Sequence, residues 1–187
     1  MKKVLVLMMG AVMLLALAAC GSEKQEESNG ITDSLELLNT VWESWPEDAV
    51  FPAGGGDSEQ YVMEGPGKFS VEDPEILDGA LAFPAAEADK IDDAASLTHM
   101  MNANTFTGGA FRMKDPKDME AVAGAVKENL DGRQWLCGFP QEYVIASVDQ
   151  YLVYAFGTTE NVAAFKSQLN GAYKNVNVLS EGPVSAG

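Results

Sequence analysis

The sequence predicts an α+β fold, an antiparallel sheet with helices on one face. Three observations carry that reading. Strand and helix signals succeed one another six times between residues 105 and 179. One helix in that stretch is marked at both ends, and two apolar runs lie close enough in sequence to form a hairpin, the unit of antiparallel pairing.

The folded part is expected to start near Thr32. Thr32 or Asp33 can cap a helix whose apolar positions Leu35, Leu38, Val41, Trp42 and Trp45 recur at helical spacing until Pro46 ends it. Residues 46–75 are rich in Gly, Pro, Asp and Glu, with Gly54-Gly55-Gly56 and Gly65-Pro66-Gly67 among them. They read as loop with at most one short strand near 61–63. A strand is expected at 80–83, closed by Pro84, and then a helix or helical turn from Ala85 to Ile91 or a little beyond.

The second half is better marked. Residues 105–113 are strand-like, and Gly108-Gly109 inside them suggests a bulge or a close backbone approach. Asp115 is then an N-cap, Pro116 fits the first helical position, Asp118 faces the positive helix end and Gly132 terminates the helix. Its stripe of Met119, Val122, Ala123, Val126 and Leu130 makes one buried face. Residues 143–148 and 152–156 are apolar strands separated by a few residues around Asp149-Gln150. Thr159 can cap a helix buried through Val162, Phe165 and Leu169 and ended near Gly171, and 176–179 would be a last strand. The resulting order, β-α-β-β-α-β, is that of the ferredoxin-like split βαβ plan. This architecture hosts unrelated functions, so it implies no chemistry.

The start of the chain predicts an address. Lys2 and Lys3 give a positive segment, residues 4–17 are apolar, and Leu17-Ala18-Ala19-Cys20 places small residues before a cysteine. A membrane-spanning helix needs about 20 apolar residues. This run is shorter and gives way at once to Gly21, Ser22, Glu23 and Lys24, which favours cleavage over retention as an anchor. In these residues the chain resembles bacterial lipoproteins. The resemblance implies that residues 1–19 are a signal peptide and that Cys20 is acylated through its sulfur as the mature N-terminus. Two or more acyl chains tether a protein stably, so the membrane would be a partner through Cys20, with the domain on the extracytoplasmic face of the cell membrane. Residues 20–31 carry few apolar side chains and are expected to be a flexible spacer, and 32–187 a single α+β domain.

With Cys20 lipidated, only Cys137 keeps a thiol, so no internal disulfide can form. The domain must be held by packing, and about 150 residues suffice for that. The formal charge of −16 becomes −18 once Lys2 and Lys3 are removed. Such a field repels polyanions, which excludes nucleic acid as a partner, whereas cations or a basic partner would be attracted.

Catalytic signals are sparse. The single histidine, His99, lies in the apolar segment Leu97-Thr98-His99-Met100-Met101 and reads as a packed side chain. No Gly-x-Ser-x-Gly or Cys-x-x-Cys sequence occurs. Zinc would need several His or Cys ligands, and His99 with Met100 and Met101 as soft Cu(I) ligands is less expected than methionine packing. Neither a metal site, a cofactor nor a catalytic residue is therefore assigned. Asp92-Asp93 is the densest carboxylate pair with apolar flanks and reads as capping or solvated. Gly54-Gly55-Gly56 lacks a P-loop ending and reads as flexible loop.

The segment Arg133-Gln134-Trp135-Leu136-Cys137-Gly138-Phe139-Pro140 joins a helix end to the hairpin and combines residue types favoured at binding hot spots. Arg133, Trp135 and Phe139, with Arg112 on the neighbouring strand, form the expected interaction patch if the aromatics are exposed. Residues 105–165, with Asn-Ala-Asn-Thr-Phe-Thr-Gly-Gly-Ala-Phe and Gln-Trp-Leu-Cys-Gly-Phe-Pro, resemble an uncharacterised lipoprotein domain of Gram-positive bacteria, which implies no activity. The expected function is a membrane-anchored extracytoplasmic binding or interaction module for an envelope protein or a small ligand. The alternative is a small cell-envelope enzyme, hydrolase-like, that uses carboxylates.

Overall fold

A computed structural model describes residues 28–136 and 138–185. Cys20, the signal segment, residues 20–27 of the expected spacer and Cys137 lie outside the described residues.

Helix α1 (Ser34–Glu43) opens on Asp33, whose carboxylate accepts the Glu36 N–H at 2.8 Å. Three short strands follow, β1 (Ala53–Gly55), β2 (Val62–Met63) and β3 (Gly67–Phe69), then helix α2 (Pro74–Leu81) and strand β4 (Ile91–His99). The second half runs β5 (Phe106–Met113), α3 (Met119–Gly132), β6 (Glu142–Val148), β7 (Tyr151–Gly157), α4 (Thr159–Ala172) and β8 (Asn177–Pro183). All strand pairs are antiparallel, in one sheet ordered β2-β1-β4-β5-β7-β6-β8, with β3 also paired to β4. The α+β class, the antiparallel sheet and the β-α-β-β-α-β succession are as expected.

The sheet order departs from the ferredoxin-like plan. There the fourth strand returns to the outer edge of the first. Here β4 already occupies that edge of β5, and β8 pairs with β6 instead. The two crossovers, β5-α3-β6 and β7-α4-β8, thus advance in one direction across the sheet along strands of opposite sense. Right-handed crossovers of that kind send their helices to opposite faces. The expectation of helices on one face is accordingly corrected to three layers. Leu37, Leu38 and Val41 of α1 and Val162, Phe165 and Leu169 of α4 pack on Ala95, Ala110, Val144 and Val153. Leu77 and Leu81 of α2 and Val122, Val126 and Leu130 of α3 pack on Phe111, Ile145, Leu152 and Tyr154 on the other side. Every residue of β7 is buried, as a strand covered on both faces requires. Each fully buried leucine contributes roughly 1.5–3 kcal/mol.

Local expectations also shift. Residues 80–83 are not a strand, because the Asp73 side chain accepts the Glu75 and Ile76 N–H groups and Pro74 sets the first helical turn, starting α2. Ala85–Lys90 is a 3-10 helix, and Asp92 and Asp93 lie on β4. Gly54 and Gly55 are strand rather than loop, and Gly56 is the bend that follows: a Cβ on Gly55 would stand 2.3 Å from Gly67 N and Ser96 O, so only glycine lets these strands approach. Gly108 and Gly109 carry no bulge. A Cβ on Gly109 would meet the Phe111 ring at 2.6 Å, so this glycine clears space for an aromatic side chain.

The strands give the molecule two ends. Residues 28–31, expected as spacer, are pinned at one of them. Asn29 accepts the Lys174 N–H at 2.7 Å and donates through Nδ2 to Lys174 O at 2.9 Å and Asp149 Oδ1 at 3.1 Å. This entry end holds Ile91, Met113 and Tyr151, and the far end holds His99, Phe106 and Gly157.

Candidate functional site

Helix α1 connects the two ends. At the entry end its Ser34 N–H donates to Asp93 Oδ2 at 2.7 Å, while Lys68 Nζ donates to Asp93 Oδ1 at 2.6 Å and lies 3.3 Å from Asp33. Burial alone would raise the Asp93 pKa. The bonds from Lys68 and Ser34 and the Lys68 charge outweigh it and hold the carboxyl below its ordinary range. The last turn of α1 and the residues after it then deliver Trp42 and Trp45 to the far end.

There the two indoles meet Phe51. Ring centroids are 5.4 Å apart for Trp42–Trp45, 5.1 Å for Trp42–Phe51 and 5.5 Å for Trp45–Phe51. His99 stacks on Phe51 at 5.4 Å, and its Nδ1 accepts the Met101 N–H at 3.2 Å, so this histidine is committed to the β4–β5 turn. Trp42 Nε1 donates to Glu64 O at 3.0 Å and Trp45 Nε1 to Ala49 O at 3.1 Å. Above these rings lies a groove of about 680 Å³ rimmed by Val50, Met63, Met100, Glu43 and Glu64. Met63 is 66% exposed and Val50 56%, so the rim presents apolar side chains at the surface.

The expected patch lies partly beside this groove. Arg133 stands 5.8 Å from the Trp135 ring, and Trp135 and Phe139 have centroids 6.4 Å apart. Trp135 is half-buried against Phe156 at 5.2 Å, and Phe139 is exposed. Asn104 of the β4–β5 turn donates to Leu136 O at 2.7 Å and Gly138 O at 3.0 Å, fixing the segment to the same turn that carries Met100 and Met101. A second cleft, about 240 Å³, runs between them past Asn104, Arg133 and Trp135. Arg133 itself is held by Asp78 at 2.8 Å.

Arg112 does not join them. It lies at the entry end of β5, its Nε bonded to Asp92 Oδ1 at 2.6 Å, whereas Trp135 packs on Phe156, which pairs with Thr107. Arg112 is five residue steps along the strand from Thr107, about 17 Å. Sequence reasoning missed Trp42, Trp45, Phe51, Val50, Met63 and Met100 as one surface. The signal was two indoles three residues apart at a helix end, which fits a buried stripe equally well.

Among the described residues no group of three His, Cys, Asp or Glu side chains is placed to hold a metal, and no helix is long and apolar enough to cross a membrane. The chain matches no family model, no curated protein and no solved structure.

Proposed function

We propose that the protein is a lipid-anchored extracytoplasmic binding module that presents its far end away from the membrane. The observation that carries this reading is a segregation. Of the exposed large apolar side chains, Val50, Met63, Met100, Met101, Leu136 and Phe139 cluster at the strand ends opposite the point where residues 28–31 enter, while the sheet register places Val178 toward the entry end and Tyr61, Val62 and Ile76 are exposed elsewhere on the surface. A chain tethered through Cys20 would hold the entry end toward the bilayer and turn this apolar surface outward. Exposed apolar surface of that kind marks recognition of another molecule.

The test places a photo-cross-linking amino acid at Met100 and, separately, at Arg112 on intact cells. A discrete adduct from Met100 and none from Arg112 is expected. Equal adducts, or an adduct from Arg112 alone, would contradict the reading. For the anchor, Cys20→Ala should abolish lipid labelling and release the chain from membranes; unchanged membrane fractionation would remove that part.

A further inference from the structure

We infer that the Trp42–Phe51 groove takes a polypeptide segment carrying lysine or arginine beside apolar side chains, an inference that rests on the far end being the binding face. The groove's own chemistry narrows the occupant. Both indole N–H groups are spent on Glu64 O and Ala49 O, so the floor offers ring faces and the rim methyl and thioether groups. It selects apolar side chains. The three rings touch one another at 5.1–5.5 Å between centroids, which closes them into a floor and leaves no cage between them for a free cation.

Charge comes from the rim. Glu43 and Glu64 are the charged residues lining the groove, and Glu47 and Asp48 follow Trp45 closely in the chain. Among the described residues neither Glu43 nor Glu64 has a cationic partner, and no lysine or arginine lines the groove. A partner that covers the groove strips water from these two carboxylates. That costs free energy unless the partner brings positive charge, and an acidic partner is rejected. The net charge, −16 for the full sequence and −18 without Lys2 and Lys3, acts in the same direction at longer range.

A polypeptide rather than a small molecule follows from the sheet edge. Strand β2, which supplies Met63 to the groove, is the terminal strand, and its outer edge has no strand partner among the described residues. An extended segment can pair with that edge while alternate side chains enter the groove. A compact apolar cation would leave the edge unused.

Three short benzophenone-bearing peptides, alternating leucine with lysine, with glutamate or with serine, test this on the lipidated full chain in non-ionic detergent. Adducts are mapped by mass spectrometry. The lysine peptide should label Val50, Met63 or Met100 about tenfold more efficiently than the glutamate peptide, the scale of two exposed charge pairs. That preference should shrink in 1 M salt, where the Debye length falls to about 3 Å, and in a Glu43→Gln, Glu64→Gln variant, whose melting temperature should be unchanged. Equal labelling of the groove by all three peptides would overturn the cationic occupant and leave the binding face standing. Absence of groove labelling by any peptide would overturn both.

Discussion

The two ends of one sheet differ in how they finish their chemistry. At the entry end the polar groups are matched within the molecule: Asp93 with Lys68 and Ser34, Arg112 with Asp92, Asn29 with Asp149 and Lys174. At the far end Val50, Met63, Met100, Met101, Leu136 and Phe139 stay exposed over buried aromatics, and Glu43 and Glu64 stand at the rim. The same strands run through both. The difference lies in apolar exposure and in the rim carboxylates, since Arg133 with Asp78 and Asn104 with Leu136 O and Gly138 O match polar groups at the far end as well.

The largest expected effect is in the core that joins the ends. Met119 is 7% exposed on the inner face of α3, so Met119→Asp buries an unpaired charge and should cost roughly 3 kcal/mol or more. The equivalent change at the far end, Met63→Asp, should cost about 0.5 kcal/mol or less. Thermal melts of the pair measure the contrast directly, and equal losses would mean that Met63 is not the free rim residue described.

Next comes the entry-end anchor. Asp93→Ala strands the Ser34 N–H and Lys68 and should destabilise by about 2–3 kcal/mol. Because the folded pKa of Asp93 is depressed, its contribution is present above the unfolded carboxyl pKa of about 3.9 and fades as pH falls below it. Denaturant titrations at pH 7 and pH 3 should therefore show a smaller mutant deficit at pH 3; a constant deficit would assign Asp93 a packing role.

A smaller effect belongs to Tyr154, which is fully buried with its hydroxyl donating to Leu81 O at 2.9 Å. Tyr154→Phe should cost about 1–2 kcal/mol by orphaning that carbonyl at the end of α2. Burial raises the Tyr154 pKa well above its ordinary value, so its contribution is complete below the unfolded pKa of about 10 and is lost as pH rises beyond it. The wild type should lose stability above pH 10 faster than the variant, as denaturant midpoints at pH 8 and pH 11 would show. The smallest effect is at the rim, where Val50→Ser should leave the melting temperature within about 0.5 kcal/mol of stability while weakening any groove cross-link.

Much of the fold was legible because its signals are local. Asp33 caps α1, Asp115 caps the 3-10 turn Pro116–Asp118 that leads into α3, and the cap of α4 falls on Thr158, one residue before the expected Thr159; the stripes of α3 and α4 recur at helical spacing, and the β6–β7 hairpin is two apolar runs around a short turn. Strand β4 was not. Its Asp92-Asp93-Ala94-Ala95-Ser96 has little β-branched character, and burial on both faces removes the alternation that reveals a strand. The sheet order went with it, since β4 is what denies β8 the edge of β5. At the candidate site, Arg133, Trp135 and Phe139 were found because hot-spot residue types cluster in one segment. Arg112 was misplaced because strand neighbours in sequence span the whole height of the sheet. The groove itself was hidden because Trp42 and Trp45 satisfy helical periodicity whether they face the core or a partner.

The central claim is that the far end is covered in the cell and the entry end is not a binding face. Methionine oxidation, mapped by mass spectrometry on cells and on the purified full chain, tests it most directly. Met63, Met100 and Met101 should oxidise readily in the purified chain and be protected on cells, with Met113 and Met119 unreactive in both. Oxidation of these three far-end methionines to the same extent in both samples would contradict the account.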